Sequence, residues 1–155
     1  MTEAASVPDP AADGARPSAY GPDGPGLGVA EGFSTAIGMH LAEVSGRRVA
    51  GWIDVGPAHL QPGSIAHGGL LAAAVEEAAS YGAAAAVRPE GRSVIGVANT
   101  TNFLRPATVG RILVEAVPLL QGRTQQLWEV TITRAGDGAV LTVGTLRLQN
   151  LPALP

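Results

Sequence analysis

Strand-like apolar runs occupy most of this chain, and one long helix-like run interrupts them. Residues 39–44 and 48–55 flank Ser45-Gly46, which predicts a β-hairpin. A short helix over 33–39 leads into it, and residues 56–66 form a loop rich in Gly and Pro. The helix-like run extends from His67 to about Val87, where Arg88-Pro89-Glu90-Gly91 stops it. Three further strand-like runs follow at 93–104, 111–120 and 124–134, then the turn Ala135-Gly136-Asp137-Gly138 and a last strand at 139–148. The predicted order is a hairpin, a long helix and a four-strand meander. Such an order suits an α+β fold: a curved antiparallel sheet of about six strands wrapped around one central helix.

The helix itself is almost bare of bulk. Ala72, Ala73, Ala74, Ala78, Ala79 and Ala83 to Ala86 leave little side chain on any side, so a sheet can close tightly around it. Its only charges are Glu76 and Glu77, whereas a surface helix carries a charged face.

Composition narrows the class. Apolar residues make up 46% of the 155 positions, charged residues 15% and aromatics 4%, so the core is built from Ala, Val, Leu and Ile. In residues 1–30, seventeen positions are Ala, Gly or Pro, which predicts a flexible tail ahead of a single domain over 31–150. That tail holds Glu3, Asp9, Asp13 and Asp23 against Arg16, leaving nine acids and nine arginines in the remainder. A neutral body lacks the basic face that nucleic-acid binding requires. No apolar run long enough for a membrane span is free of charge, no secretory signal opens the chain, and there is no cysteine, which fits a cytoplasmic protein.

Candidate chemistry gathers between Gln61 and Ser80. His67-Gly68-Gly69 opens the helix, where free backbone N–H groups carry the positive end of the helix dipole and glycine lets another molecule approach them. Glu76 is costly inside an apolar helix unless something uses it. Gly68 and Glu76 are therefore a candidate oxyanion donor and base. Eight residues of helix separate them by about 12 Å, too far for one carbonyl. Two antiparallel helices from two subunits would bring them together, so the site is expected at a two-fold dimer interface. Ser80 shares the face of Glu76 at i+4 and is placed to hold a water; Glu77, beside Tyr81, is the rival base. His67 is expected to shape the loop or touch the substrate, and Gln61 to donate to a carbonyl oxygen. His40, His59 and His67 show no metal-ligand spacing, and no strand–turn–helix elbow surrounds Ser64.

These residues resemble the hotdog-fold acyl-CoA thioesterases, in the branch with the 4-hydroxybenzoyl-CoA thioesterase of the Arthrobacter type and the phenylacetate-pathway enzymes. The resemblance spans about 31–150 and rests on the spacing of Gln61, His67-Gly68-Gly69, Glu76 and Ser80. It implies that Gly68 supplies the oxyanion N–H, with Gly69 beside it, while Gln61 and His67 orient the thioester. It also implies that Glu76 comes from the partner subunit as nucleophile or general base, and that Ser80 positions water. The runs 93–106 and 122–130 are similar to the 1,4-dihydroxy-2-naphthoyl-CoA thioesterases of menaquinone biosynthesis. By the same resemblance Phe103 lines the acyl pocket, and Arg105, Arg123 and Thr124 meet the coenzyme A phosphates and pantetheine. The expectation is hydrolysis of an aromatic or bulky acyl-CoA with no cofactor, coenzyme A being part of the substrate, by a homotetramer built from such dimers. A non-catalytic acyl-CoA-binding module, or a thioesterase of broad or fatty acyl-CoA specificity, is the alternative.

Overall fold

The structure, a computed structural model, describes residues 32–152; the expected tail over 1–30 lies outside them. A one-turn helix α1 (Phe33–Ala36) leads into strand β1 (Met39–Val44), which turns at Ser45 into β2 (Val49–Val55). A single 3-10 turn at Pro57–His59 and a loop precede the long helix α2 (Gly68–Val87). Strands β3 (Ser93–Phe103), β4 (Gly110–Gln121), β5 (Gln125–Arg134) and β6 (Val140–Leu151) complete the chain. All six form one antiparallel sheet in the order β1-β2-β4-β5-β6-β3. The sheet curls around α2, which is the hotdog arrangement.

The expected four-strand meander fails at β3. Only β4, β5 and β6 follow one another as neighbours; β2 pairs with β4, and β3 pairs with β6 at the far edge. The reason is physical: an apolar pattern reports which face a residue occupies, not which strand lies beside it. The connection at 104–109 carries the chain from that edge across the sheet. It is held where Leu104 and Arg105 N–H both donate to the Leu141 carbonyl, at 2.8 and 3.1 Å.

The small residues of α2 are where the sheet comes closest. A Cβ added to Gly82 would lie 2.4 Å from Cη2 of Trp128, which is fully buried on β5. On the sheet side, a Cβ added to Gly144 of β6 would lie 2.8 Å from Cγ1 of Val75. Bulk and space thus alternate between helix and sheet, as close packing demands. The stretch Gly68–Glu90 is long and apolar enough by composition to cross a membrane, but half of its key window is buried within this sheet. That enclosure accounts for its apolar character.

Polar groups in this core are tied together. Trp128 Nε1 donates to Gln126 Oε1 at 2.9 Å, and Gln126 Nε2 donates to Ala83 O and to Asn150 Oδ1 at 3.1 and 2.8 Å. Asn150 Nδ2 donates to the carbonyls of Gly122 and Arg123. This chain of bonds fixes the β4–β5 turn against the C-terminal half of α2.

Candidate active site

The loop before α2 is built to present the helix N-terminus. Gln61 N–H donates to Ile65 O and Ser64 N–H to Gln61 O, closing a tight turn in which Ser64 takes the left-handed conformation (φ 59°). Ala66 N–H donates to Ala107 O and His67 N–H to His59 O, both at 2.8 Å, so the loop is pinned on two sides. The His67 backbone is extended (φ −63°, ψ 132°), and its Nδ1 accepts the Gly69 N–H at 2.9 Å. His67 is therefore the N-cap of α2.

That cap separates the two glycines. The Gly69 N–H is consumed by His67 and the Leu70 N–H by the His67 carbonyl, while the Gly68 N–H has no acceptor among the described residues. Gly68 is thus the amide left to bind a developing negative oxygen, with the helix dipole behind it. The tip of the Phe103 ring, at the end of β3, abuts it: a Cβ on Gly68 would sit 3.2 Å from the ring Cζ.

Along the helix from Gly68 runs an open face. Gly69 and Glu76 are exposed, and Ala72, Ala73 and Ser80 are half-buried. Neither the Glu76 carboxylate nor the Ser80 hydroxyl has a partner among the described residues. Glu77 differs, because its carboxylate accepts the Ser34 hydroxyl of α1. Glu77 thus fastens α1 to α2, and Glu76 is the glutamate left without a partner among the described residues.

Strand β3 flanks the same face with residues that the sequence reading did not single out. Asn99 Nδ2 donates to the Ala72 carbonyl at 3.0 Å, and Thr101 Oγ1 donates to Asn99 Oδ1 at 2.7 Å. Asn99, Thr101 and Phe103 occupy alternate positions, so they share one face. That period of two within an otherwise polar run was the available signal.

The remaining candidates divide between the two ends of α2. Arg105 follows Phe103 near the helix N-terminus, where its guanidinium donates to the Val140 carbonyl at 2.8 Å. Arg123 and Thr124 lie in the β4–β5 turn, which Gln126 ties to Ala83. Fifteen residues of helix, about 22 Å, separate Ala83 from Gly68. One protomer therefore brings together His67, Gly68 and Phe103, with Gln61 on the adjoining loop. Glu76 and Ser80 stand further along the helix, and Arg123 and Thr124 at its other end.

Comparison with known proteins is consistent across sequence and structure. Residues 63–141 match the family model described as the thioesterase superfamily. A Mycobacterium tuberculosis protein named as an esterase is 41% identical over 137 residues, spanning 86% of this chain and 97% of its own length. Its solved structure superposes with a TM-score of 0.76 over 79% of this chain and 98% of its own. The crystal structure of AziG from S. sahachiroi, 35% identical, superposes with a TM-score of 0.75 over 78% of this chain and 97% of its own. A 1,4-dihydroxy-2-naphthoyl-CoA thioesterase of Arabidopsis thaliana is 34% identical over 100 residues, covering 64% of this chain and 62% of its own length.

Proposed function

This chain belongs to the thioesterase superfamily and is a thioester hydrolase; we propose that it cleaves an aromatic acyl-CoA at a site shared between two copies of itself. The observation that carries the reading is the pairing of an unengaged Gly68 N–H with an unengaged Glu76 carboxylate on one open helix face. Within a protomer they stand about 12 Å apart along the axis. An antiparallel helix pair with its two-fold axis at Ala72 sets each Gly68 opposite Glu76 of the partner subunit. The residues at that axis, Gly69, Ala72 and Ala73, are small enough for close approach. Strand β3 supports the same pairing, because it is a long edge strand with exposed Ile95 and Val97 and one row of unpaired backbone groups.

The chemistry follows from those groups. The thioester carbonyl oxygen accepts the Gly68 N–H, and Gln61 on the adjoining loop serves as a second donor. A water held by Ser80 of the partner subunit gives a proton to Glu76 of the partner subunit as its oxygen bonds to the carbonyl carbon. The Gly68 amide stabilises the resulting oxyanion. As the carbonyl reforms, the carbon–sulfur bond breaks, the electron pair leaves on the coenzyme A sulfur, and the proton on Glu76 passes to that thiolate. The products are the free acid and coenzyme A.

The same pairing sets Ala83 of the partner subunit about 10 Å beyond Gly68 along the axis. The β4–β5 turn tied to Ala83 thereby comes near this site, which supports Arg123 and Thr124 as contacts for coenzyme A. An aromatic acyl group is supported by the Phe103 ring against Gly68. A hydroxynaphthoyl group in particular is supported by the Arabidopsis relative. The test is free-thiol release from 1,4-dihydroxy-2-naphthoyl-CoA, benzoyl-CoA and medium-chain fatty acyl-CoA, with the wild type and Glu76→Gln. The expected result is a higher kcat/KM on the aryl thioesters, falling about 10²–10⁴-fold in the variant. Preference for the straight chains overturns the aromatic assignment, and a fully active Glu76→Gln overturns the mechanism.

A further inference from the structure

Among the described residues, the inner face of the sheet leaves one buried side-chain polar atom unbonded. Thr142 of β6 is 0% exposed, and its hydroxyl has no hydrogen-bond partner. The other two buried polar side chains, Gln126 and Asn150, are bonded through both their oxygen and their nitrogen. A buried hydroxyl without a partner has given up its hydration for nothing within the fold. Valine would fill the same space without that loss.

The place of Thr142 gives the hydroxyl a use. It pairs directly with Phe103 across β3 and β6, and with Ile132 of the core on its other side. Opposed residues of this kind have Cβ atoms about 5 Å apart on one face of the sheet. Phe103 is 55% exposed and rests against Gly68. The oxyanion amide therefore adjoins the ring, and the ring adjoins the hydroxyl. Access to Thr142 from a group seated at Gly68 requires Phe103 to turn toward its open side.

We infer that Thr142 is a specificity-determining residue, whose hydroxyl bonds an oxygen substituent on the ring of the acyl group held at Gly68. The inference rests on the thioesterase reading above. A threonine hydroxyl both donates and accepts, so it serves a phenolic hydroxyl or a ring carbonyl alike. A hydrocarbon acyl group leaves it unpaired.

The test compares benzoyl-CoA with 2-, 3- and 4-hydroxybenzoyl-CoA in the wild type, Thr142→Val and Thr142→Ser, with Tm measured for each. The wild type should prefer at least one hydroxylated isomer over benzoyl-CoA. Thr142→Val should lose about tenfold in kcat/KM on that isomer and keep its activity on benzoyl-CoA, with a Tm unchanged or about 2–4 °C higher. Thr142→Ser, which keeps the hydroxyl, should retain the preference even where a small cavity lowers its Tm. A lowered Tm in Thr142→Val with both substrates failing together shows that the hydroxyl serves the fold, and overturns the inference. So does a wild type that hydrolyses all four alike, or a Thr142→Val that keeps the preference; the thioesterase reading survives both. A wild type that releases thiol from none of them overturns the aromatic reading and this inference with it.

Discussion

Gly68 and Gly69 stand side by side in the sequence but do different work, and a pair of substitutions separates them. Proline is tolerated at the first position of a helix and removes only an N–H that the helix does not use. Gly68→Pro should therefore fold yet lose the oxyanion donor. Gly68→Ala keeps the N–H and introduces a similar crowding of Phe103, 3.2 Å away. The expected outcome is a kcat about 10²–10³-fold lower in the proline variant than in the alanine variant, checked by steady-state thiol release. Equal activity would remove Gly68 from the reaction. At Gly69 the effect is structural instead, because a Cβ there would lie 2.9 Å from His67 Nδ1 and displace the cap. His67→Asn, another good N-cap, should retain Tm, whereas His67→Ala should lose about 1 kcal/mol in a denaturant titration. The sequence made the glycine pair conspicuous. It did not reveal which amide is spare, since that depends on where the His67 ring turns.

At the scale of elements, α2 and the hairpins were legible in the sequence because their signals are local: an unbroken run of small residues, Pro89 and Gly91 after it, and glycine-bearing turns. The place of β3 was not legible, since both faces of an edge strand are polar or open and its partner residues lie 39 to 58 positions away. The fit of α2 against the sheet was half visible. Alanine and glycine announced close packing, but only the fold identifies Trp128 as the residue that Gly82 admits. Gly82→Ala should accordingly destabilise by about 1–3 kcal/mol, read as a lower midpoint in denaturant with an unchanged slope. The exposed face of β2 and β4 carries a pH-dependent contribution. Arg111, bonded to Asp54 at 2.8 and 2.9 Å, holds that carboxyl below its ordinary value of 3.8. A depressed carboxyl stabilises the fold above its unfolded value and ceases to do so as the pH falls through its folded one. The advantage of the wild type over Asp54→Asn should be small, because the carboxylate side is 57% exposed, and in thermal melts should begin to fade below about pH 4 and be lost as the pH falls through the lower folded value.

At the scale of the whole molecule, the proposed pairing gives each protomer halves of two different sites. In it Gln61, Gly68 and Phe103 serve one, and Glu76, Ser80, Arg123 and Thr124 the other, because the helix is too long for its two ends to meet. This division yields a test that no property of a single chain can mimic. When Glu76→Gln and Gly68→Pro proteins are unfolded together and reassembled, each mixed dimer contains one site with neither substitution and one with both. Random pairing should then restore roughly a quarter of wild-type activity from two inactive parents. Glu76→Gln mixed with Arg123→Ala should behave otherwise, since Glu76 and Arg123 act on the same substrate from the same protomer. No site in that mixture is intact, and at low substrate concentration its activity should not exceed roughly half that of the Arg123→Ala parent at the same total protein, since half of all sites carry that defect alone. Recovery in the second mixture would place the coenzyme A contact on the Gly68 side. Failure of the first would return both groups to one chain, where about 12 Å of helix keeps them from a common carbonyl.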